Sequence, residues 1–337
     1  MFCVLNKLFI YDILNKDGIL WTILLFILII FELKTLILMM RWDEIVSSHS
    51  NFLEVVFMKI GFIGAGKVGF SLGKYLAENN ITVSGYYSKN ENSSKEASMF
   101  TNTKQFLNLK DLVNESDAIF ITTQDSFISL IWNRLKDLNI DGKIICHCSG
   151  SLSSSIFSNI DKYGAYGYSI HPLFAISDKY NSYKILNEAF IAIEGHKKYL
   201  SDFEMLFKSL GNNVQVIPKE NKVLYHAAAV TSSNLVLGLI KDGINYLVKC
   251  GFSEKSAMEA LYPLISFNIS NVKDKGITNS LTGPIERGDL YTVKEHLSVI
   301  DSSNVESYKM LSKKILDIAK IKNKDRDYKV IENYLEE

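Results

Sequence analysis

The chain has 337 residues, room for two domains of ordinary size. Hydrophobic residues make up 47% and charged residues 22%, which excludes a disordered chain. Lys+Arg and Asp+Glu number 37 each, so no charge excess marks a nucleic-acid partner, and four cysteines suit a reducing, cytoplasmic compartment better than a disulfide framework.

Residues 1–57 stand apart. The uncharged run at 19–31 has 13 residues, and Glu32 and Lys34 interrupt it before LILMM. A spanning helix needs about 20 predominantly apolar residues, so no membrane is expected unless 19–40 is a genuine anchor. The sequence instead reads as starting at Met58, where MKIGFIGAG opens directly on a strand and a glycine loop.

From Met58 onward, apolar runs at 59–63, 81–87, 117–123, 143–148 and 165–170 read as strands. Helical spacing appears between them at 67–79, 93–100, 106–114, 125–138 and 151–161. This alternation predicts a doubly wound parallel sheet, and 189–195, 197–210 and 213–218 extend it by a further strand–helix–strand unit closed by Pro218. Beyond Pro218 the period becomes helical: one long helix over 220–250, others over 255–271, 292–300 and 303–320, with Thr292 as a cap. The expected organisation is a Rossmann-like domain at 58–218 and an all-α domain at 219–337, whose long apolar faces suit a homodimer.

Gly64, Ala65, Gly66, Lys67, Val68 and Gly69 form G-x-G-x-x-G between a predicted strand and helix. That context makes the motif a diphosphate cradle: a tight turn at Gly64, close backbone approach at Gly66 and helix–strand packing at Gly69. An NAD site places an acidic residue about 20 positions further on; here Ser88 and Lys89 stand there, with no acid before Glu91, so NADP is expected in preference to NAD. The strand ends at Thr122, Thr123 and at His147–Gly150, including Ser149, face the same crevice. Cys146, His147 and Cys148 are not read as a metal site, because strand alternation turns His147 away from the two thiols.

Hydride transfer to a C=O or C=N group needs a proton donor and a substrate anchor. His171, expected on a rigid turn before Pro172, and His226 are the donor candidates. Asn234, eight positions after His226 on the same predicted helix, is a positioning candidate, and Arg287 in TGPIERGD is a carboxylate-clamp candidate that Asp289 could orient. Asn268 would need a partner if buried.

The ordered set GFIGAGKVG (61–69), HCSG (147–150), HPL (171–173), EG (194–195), YHAAAVTSSN (225–234), PL (263–264), LTGPIERGD (281–289) and HL (296–297) resembles the Rossmann-like family carrying the domain of unknown function 2520. That family is grouped with pyrroline-5-carboxylate reductases and deazaflavin-dependent NADP reductases. The resemblance implies a Rossmann domain followed by a 6-phosphogluconate dehydrogenase C-terminal-like helical domain, and NADP-linked oxidoreduction of a small substrate between them. A non-catalytic NADP-binding redox sensor is the alternative.

Overall fold

The buried apolar runs pair into a single eight-stranded sheet in the computed structural model, which describes residues 58–337. The run at 19–31 and the start at Met58 rest on residues 1–57, outside the described ones. Two units are distinguished, one ending at Ala229 and the other spanning Val230–Glu337.

In the first unit, β1 (Ile60–Ile63), α1 (Lys67–Glu78), β2 (Val83–Tyr87), α2 (Glu91–Thr101) and β3 (Lys104–Phe106) form one half of the winding. The other half contains α3 (Leu109–Asn114), β4 (Ala118–Ile121), α4 (Asp125–Leu135), β5 (Ile144–His147) and β6 (Tyr166–Leu173). β7 (Phe190–Gly195), α5 (Leu200–Ser209), β8 (Asn213–Val216) and the beginning of α6 (Lys222–Ser232) complete the unit. The strand order is β3-β2-β1-β4-β5-β6-β7-β8, and β1 to β6 are parallel. The winding direction reverses between β1 and β4, which opens a crevice at their carboxyl ends.

β1, β4 and β5 are buried at every position, as strands covered on both faces must be. Alternation sends Phe62, Phe120 and Cys146 into one core layer and Ile63, Ile119, Ile121 and Ile145 into the other. Cys148 also packs on the first layer, while the His147 ring lies against Phe157 of the second. Phe62 stacks on Tyr86 with centroids 5.2 Å apart and tilts against Phe120 at 5.6 Å.

The structure corrects several expectations. β6 continues through Leu173 and pairs antiparallel with β7, His171 opposite Ala192 and Pro172 opposite Ile191, so His171 sits within a strand and not on a turn. Pro172 is tolerated because β5 has already ended at His147, opposite Ser169. Residues 151–161 form two short 3-10 turns (Ser154–Ile156 and Ile160–Tyr163) in place of an α-helix. Serine hydroxyls there compete for the backbone amides: Ser149 Oγ accepts from the amides of Ser151 and Leu152. The helix expected over 220–250 breaks at Ser233 (φ −125°, ψ −72°), between α6 and α7 (Asn234–Lys249).

The second unit continues with α8 (Glu254–Ser280), capped by Ser253 and broken at Gly276 (φ 75°, ψ 162°). It ends with α9 (Pro284–Arg287), α10 (Leu290–Val299), α11 (Ser302–Lys322) and α12 (Lys329–Glu336). The cap of α10 is Asp289, to which Thr292 donates from both its amide (3.1 Å) and its hydroxyl (2.7 Å), so Thr292 is not the cap itself. A small core joins Ile285, Val293, Leu316, Ala319, Tyr328, Ile331 and Leu335. By contrast α7 has no buried residue and α8 only Ala257. Asn268 is exposed on α8 and needs no partner.

By length and composition, Lys219–Lys249 is apolar enough to cross a membrane, with mean hydropathy 1.5. Its break at Ser233 leaves α7 with 16 residues, about 24 Å of helix against a hydrocarbon core of about 30 Å. Within the sheet, Phe120 is fully buried against aromatic neighbours on both sides. Phe120→Ala is expected to cost about 3–5 kcal/mol, measured by urea denaturation.

Candidate functional site

The site is built on the carboxyl ends of β1, β4, β5 and β6. After Ile63 the chain turns at Gly64, whose φ of +102° a side chain rarely adopts. A Cβ there would also meet the Thr122 carbonyl oxygen and the Thr123 methyl at 3.0 Å. Gly69, on the first turn of α1, allows the closest approach: its Cβ would lie 2.3 Å from Thr122 Oγ1 and 2.7 Å from the Gly64 oxygen. Gly66 differs from both, since a Cβ there would meet nothing within 4 Å. It is the N-cap of α1 without a side-chain cap, and no acidic residue lies in the first turn. The first amides of α1, from Lys67, Val68 and Gly69, therefore face an open approach with the positive end of the helix dipole behind them. Ala65 and Val68 are half-buried, and Lys67 is exposed.

Thr122 is buried, and its hydroxyl donates to the Gly64 carbonyl at 2.9 Å, bracing the loop from β4. Thr123 is half-buried beside Gly64. Ser88 is half-buried and Lys89 exposed past β2, where Asn90 caps α2 by accepting from the amides of Asn92 and Ser93. Arg134 reaches the same strand end, donating to Tyr87 Oη at 3.2 Å.

Beyond β5, the Ser149 amide donates to His147 Nδ1 at 3.2 Å, so His147 Nε2 carries the ring proton toward the Ser153 carbonyl. His147 is a buried brace, and burial holds its pKa down at about 4. Ser149 donates to Asp125 Oδ2 at 2.7 Å while its Oγ accepts two amides, so its hydroxyl is committed to this turn. Ser151 donates to the same Asp125 oxygen at 3.0 Å. Asp125, at the start of α4, thus ties the end of β4 to the end of β5.

Lys222 is the residue the sequence did not single out. It opens α6 with 1% of its surface exposed, and its ammonium donates to the Ser149 carbonyl (2.9 Å) and Ser169 Oγ (2.8 Å). Burial lowers its pKa to about 8, opposed by the charges of Glu194 and Asp125. Glu194, buried on β7, accepts from the Ser154 amide (2.7 Å) and hydroxyl (2.5 Å), holding the 3-10 turn in place. Three and four residues after Lys222 come Tyr225 and His226, on the same helical face. Tyr225 Oη lies 2.8 Å from His171 Nδ1. Burial raises the Tyr225 pKa to about 12, whereas burial, and then the Lys222 charge, lower that of His171 to about 4. Both are neutral at pH 7. The spacing of Lys222, Tyr225 and His226 was readable in the sequence, but nothing there showed that this face would land on β5 and β6.

Asn234 and Arg287 belong to the second unit. Asn234 opens α7 beyond the break, so it does not share a continuous helix with His226; it is exposed and accepts from Ser233 Oγ at 3.1 Å. Arg287 is exposed at the end of α9 and reaches Asp289 only at 4.0 Å, a surface pair of little energetic weight. Asp289 is occupied in capping α10, and His296 Nδ1 meets Tyr308 Oη at 2.7 Å, so Asp289 hydrogen-bonds neither Arg287 nor His296. In the same loop Glu286 is the anchor: its carbonyl accepts from Tyr328 Oη (2.6 Å) and Arg326 (2.7 Å), and its carboxylate from Asn323 (2.7 Å).

Two tests follow from this packing. Gly69→Ala is expected to lose about 1–3 kcal/mol by thermal melting, because backbone stands in its way, while Gly66→Ser, entering open space, leaves the melting temperature essentially unchanged. His147 and His171 bind protons near pH 4 folded and near 6.5 unfolded, so the unfolded chain gains protons first on acidification. Stability should fall as pH drops from about 6.5 to 4, by at most on the order of 3 kcal/mol per histidine, and His171→Gln should flatten the part of that slope due to His171.

Residues 46–172 match the model of a Rossmann-like domain and residues 189–315 that of the domain of unknown function 2520. No curated protein matches the chain significantly. Among solved structures, protein TM1727 from Thermotoga maritima is 24% identical with a TM-score of 0.64, covering 78% of this chain and 99% of its own. Protein BF3122 from Bacteroides fragilis, named as a proposed NADP oxidoreductase, is 20% identical over the same shares, also with a TM-score of 0.64. A Plasmodium falciparum pyrroline carboxylate reductase with NADP bound is 16% identical, with a TM-score of 0.53, covering 79% of this chain and 96% of its own. These likenesses establish the fold. The chain thus carries a Rossmann-like domain over residues 46–172, followed by a domain of unknown function 2520 over residues 189–315.

Proposed function

We propose that this protein is an NADP-dependent oxidoreductase that transfers a hydride to or from a small C=O or C=N substrate. One observation carries the reading: Gly66 leaves the head of α1 open, with unpaired helix amides and no acidic side chain, at the reversal point of the sheet. The NADP bound in the Plasmodium structure of the same fold supports it. Lys67, Val68 and Gly69 would hold the diphosphate through their amides, with Ser88 and Lys89 holding the 2′-phosphate. When bound, the nicotinamide supplies or accepts the hydride. The chain itself contributes proton-holding groups at the ends of β5 and β6: His171, fixed by Tyr225, and His226.

A second copy of the chain is the partner we propose for the second unit. Leu235 and Leu237 on α7, and Tyr262, Leu264, Phe267 and Ile269 on α8, are each 59–68% exposed. They lie around the helices and not along one stripe, the pattern of helices covered on several sides. These six alone expose on the order of 700 Å², close to the ~800 Å² per partner of a standard interface. Light scattering on the purified protein should return the mass of a dimer, and Leu237→Lys with Phe267→Lys should return that of a monomer.

The cofactor reading is tested by calorimetric titration. NADPH should bind more tightly than NADH, and Gly66→Val should abolish both. Lys89→Ala should weaken NADPH about tenfold or more and leave NADH unchanged. Equal affinities for both nucleotides, unaltered in Lys89→Ala, would remove the assignment of NADP; absence of binding to either would remove the enzymatic reading.

A further inference from the structure

We propose that His171 and His226 hold between them, over Gly150, the oxygen atom of a carbonyl or hydroxyl substrate, which makes the protein a ketone or alcohol enzyme and not an imine reductase. This rests on the oxidoreductase reading and names its substrate class. His226 Nδ1 is buried and has no hydrogen-bond partner among the described residues. A buried polar atom left unpaired is costly, and a bound ligand or water is its ordinary resolution. The atom points at Gly150, where a Cβ would lie 2.5 Å from it and 3.0 Å from His171 Nε2. The two ring nitrogens therefore converge over the Gly150 backbone, where a side chain would push them apart. The rings stand nearly perpendicular, at 87°, with centroids 6.4 Å apart.

The surrounding bonds set what fits there. His171 Nδ1 is the hydrogen-bond partner of Tyr225 Oη, a phenol that stays protonated. With that hydroxyl donating to Nδ1, the His171 proton sits on Nε2 and faces the space over Gly150. A carbonyl oxygen has two lone pairs and accepts from two nitrogens, and an alcohol oxygen accepts from one and donates to the other. A neutral imine nitrogen has one lone pair, and a protonated imine has none. The charges of Lys222 and Asp125 both act on His171, with opposite sign, and that of Lys222 is the stronger, while Glu194 binds Ser154 through both its oxygens. Local charge therefore disfavours a cationic iminium and favours an oxygen that becomes negative.

Reduction adds a hydride at the carbonyl carbon and moves the C=O π pair to oxygen. That oxygen takes the Nε2 proton of neutral His171, the resulting imidazolate is reprotonated by solvent, and the hydride source, NADPH, leaves as NADP+. His171 and His226 are then catalytic residues in contact with the reacting atom.

Gly150→Ala is the decisive variant, because its methyl group would press on both ring nitrogens and part them, and Gly150 does not have a positive φ that would strain it. A crystal structure of the unmodified protein should show a water oxygen within about 3 Å of both nitrogens, and that of Gly150→Ala should lack it. With NADPH, cyclohexanone or oxobutyrate should be reduced with kcat/KM at least about tenfold above cyclic imines such as pyrroline. Gly150→Ala and His226→Ala should each lose about 100-fold of the ketone rate with NADPH affinity retained, and His226→Ala should also keep its melting temperature. A protein group bonded to His226 Nδ1 in the crystal, a preference for imines, or undiminished ketone reduction in Gly150→Ala would each overturn the inference and leave the NADP reading intact. Failure of NADPH to bind would instead bring down the reading itself, and binding without reduction of either substrate class overturns the inference.

Discussion

A buried ammonium organises the polar end of the α/β unit. Lys222 reaches from the start of α6 to the carbonyl of Ser149, just past β5, and to the hydroxyl of Ser169, which the sheet pairs with His147. Burying such a charge is tolerable only when several oxygens surround it. The fold meets that demand with Ser149, Ser169 and the nearby charges of Glu194 and Asp125. Once Lys222 is seated, the helical repeat leaves Tyr225 and His226 no choice of direction. The imidazole pair over Gly150 is therefore a consequence of where one lysine can be neutralised.

The three glycines of the opening loop divide their work unequally. Gly64 and Gly69 are absent side chains that the protein itself fills, with Thr122 supplying the filling atoms and a hydrogen bond across them. Gly66 is an absent side chain that nothing in the chain fills. Packing therefore explains two of the positions, and only the third calls for something from outside. The phosphate assignment depends on this distinction more than on the motif.

Where one apolar run fixed one element, the sequence was a sufficient guide: β1, β4 and β5 are continuous buried runs, and their alternation with helices permits little besides a wound parallel sheet. The glycine loop was equally legible, because its spacing encodes a local geometry. Legibility failed where the outcome depended on a distant partner. The reversal at β7 is set by edge pairing, which leaves no period in the residues. The serine-rich stretch at 151–161 has helical spacing yet spends its amides on Ser149 and Glu194. Ser233 gives no proline or glycine signal for the break that separates His226 from Asn234. Lys222 looked like one more surface lysine at a helix start, since burial is a property of the assembled sheet. Arg287 and Asp289 looked functional because loops that mix glycine with opposite charges often are, while the structure uses Asp289 as a helix cap and Glu286 as a clasp.

The placement of His171 inside β6 has a kinetic meaning. A residue on a free turn must be immobilised anew each time a substrate arrives, and part of the binding energy is consumed in doing so. His171 shares a ladder with Ala192, and its far ring nitrogen is moored to a phenol, so only small librations remain to it. On the proposed reading, such a group meets the reacting atom already aligned, and none of the binding energy goes into fixing it.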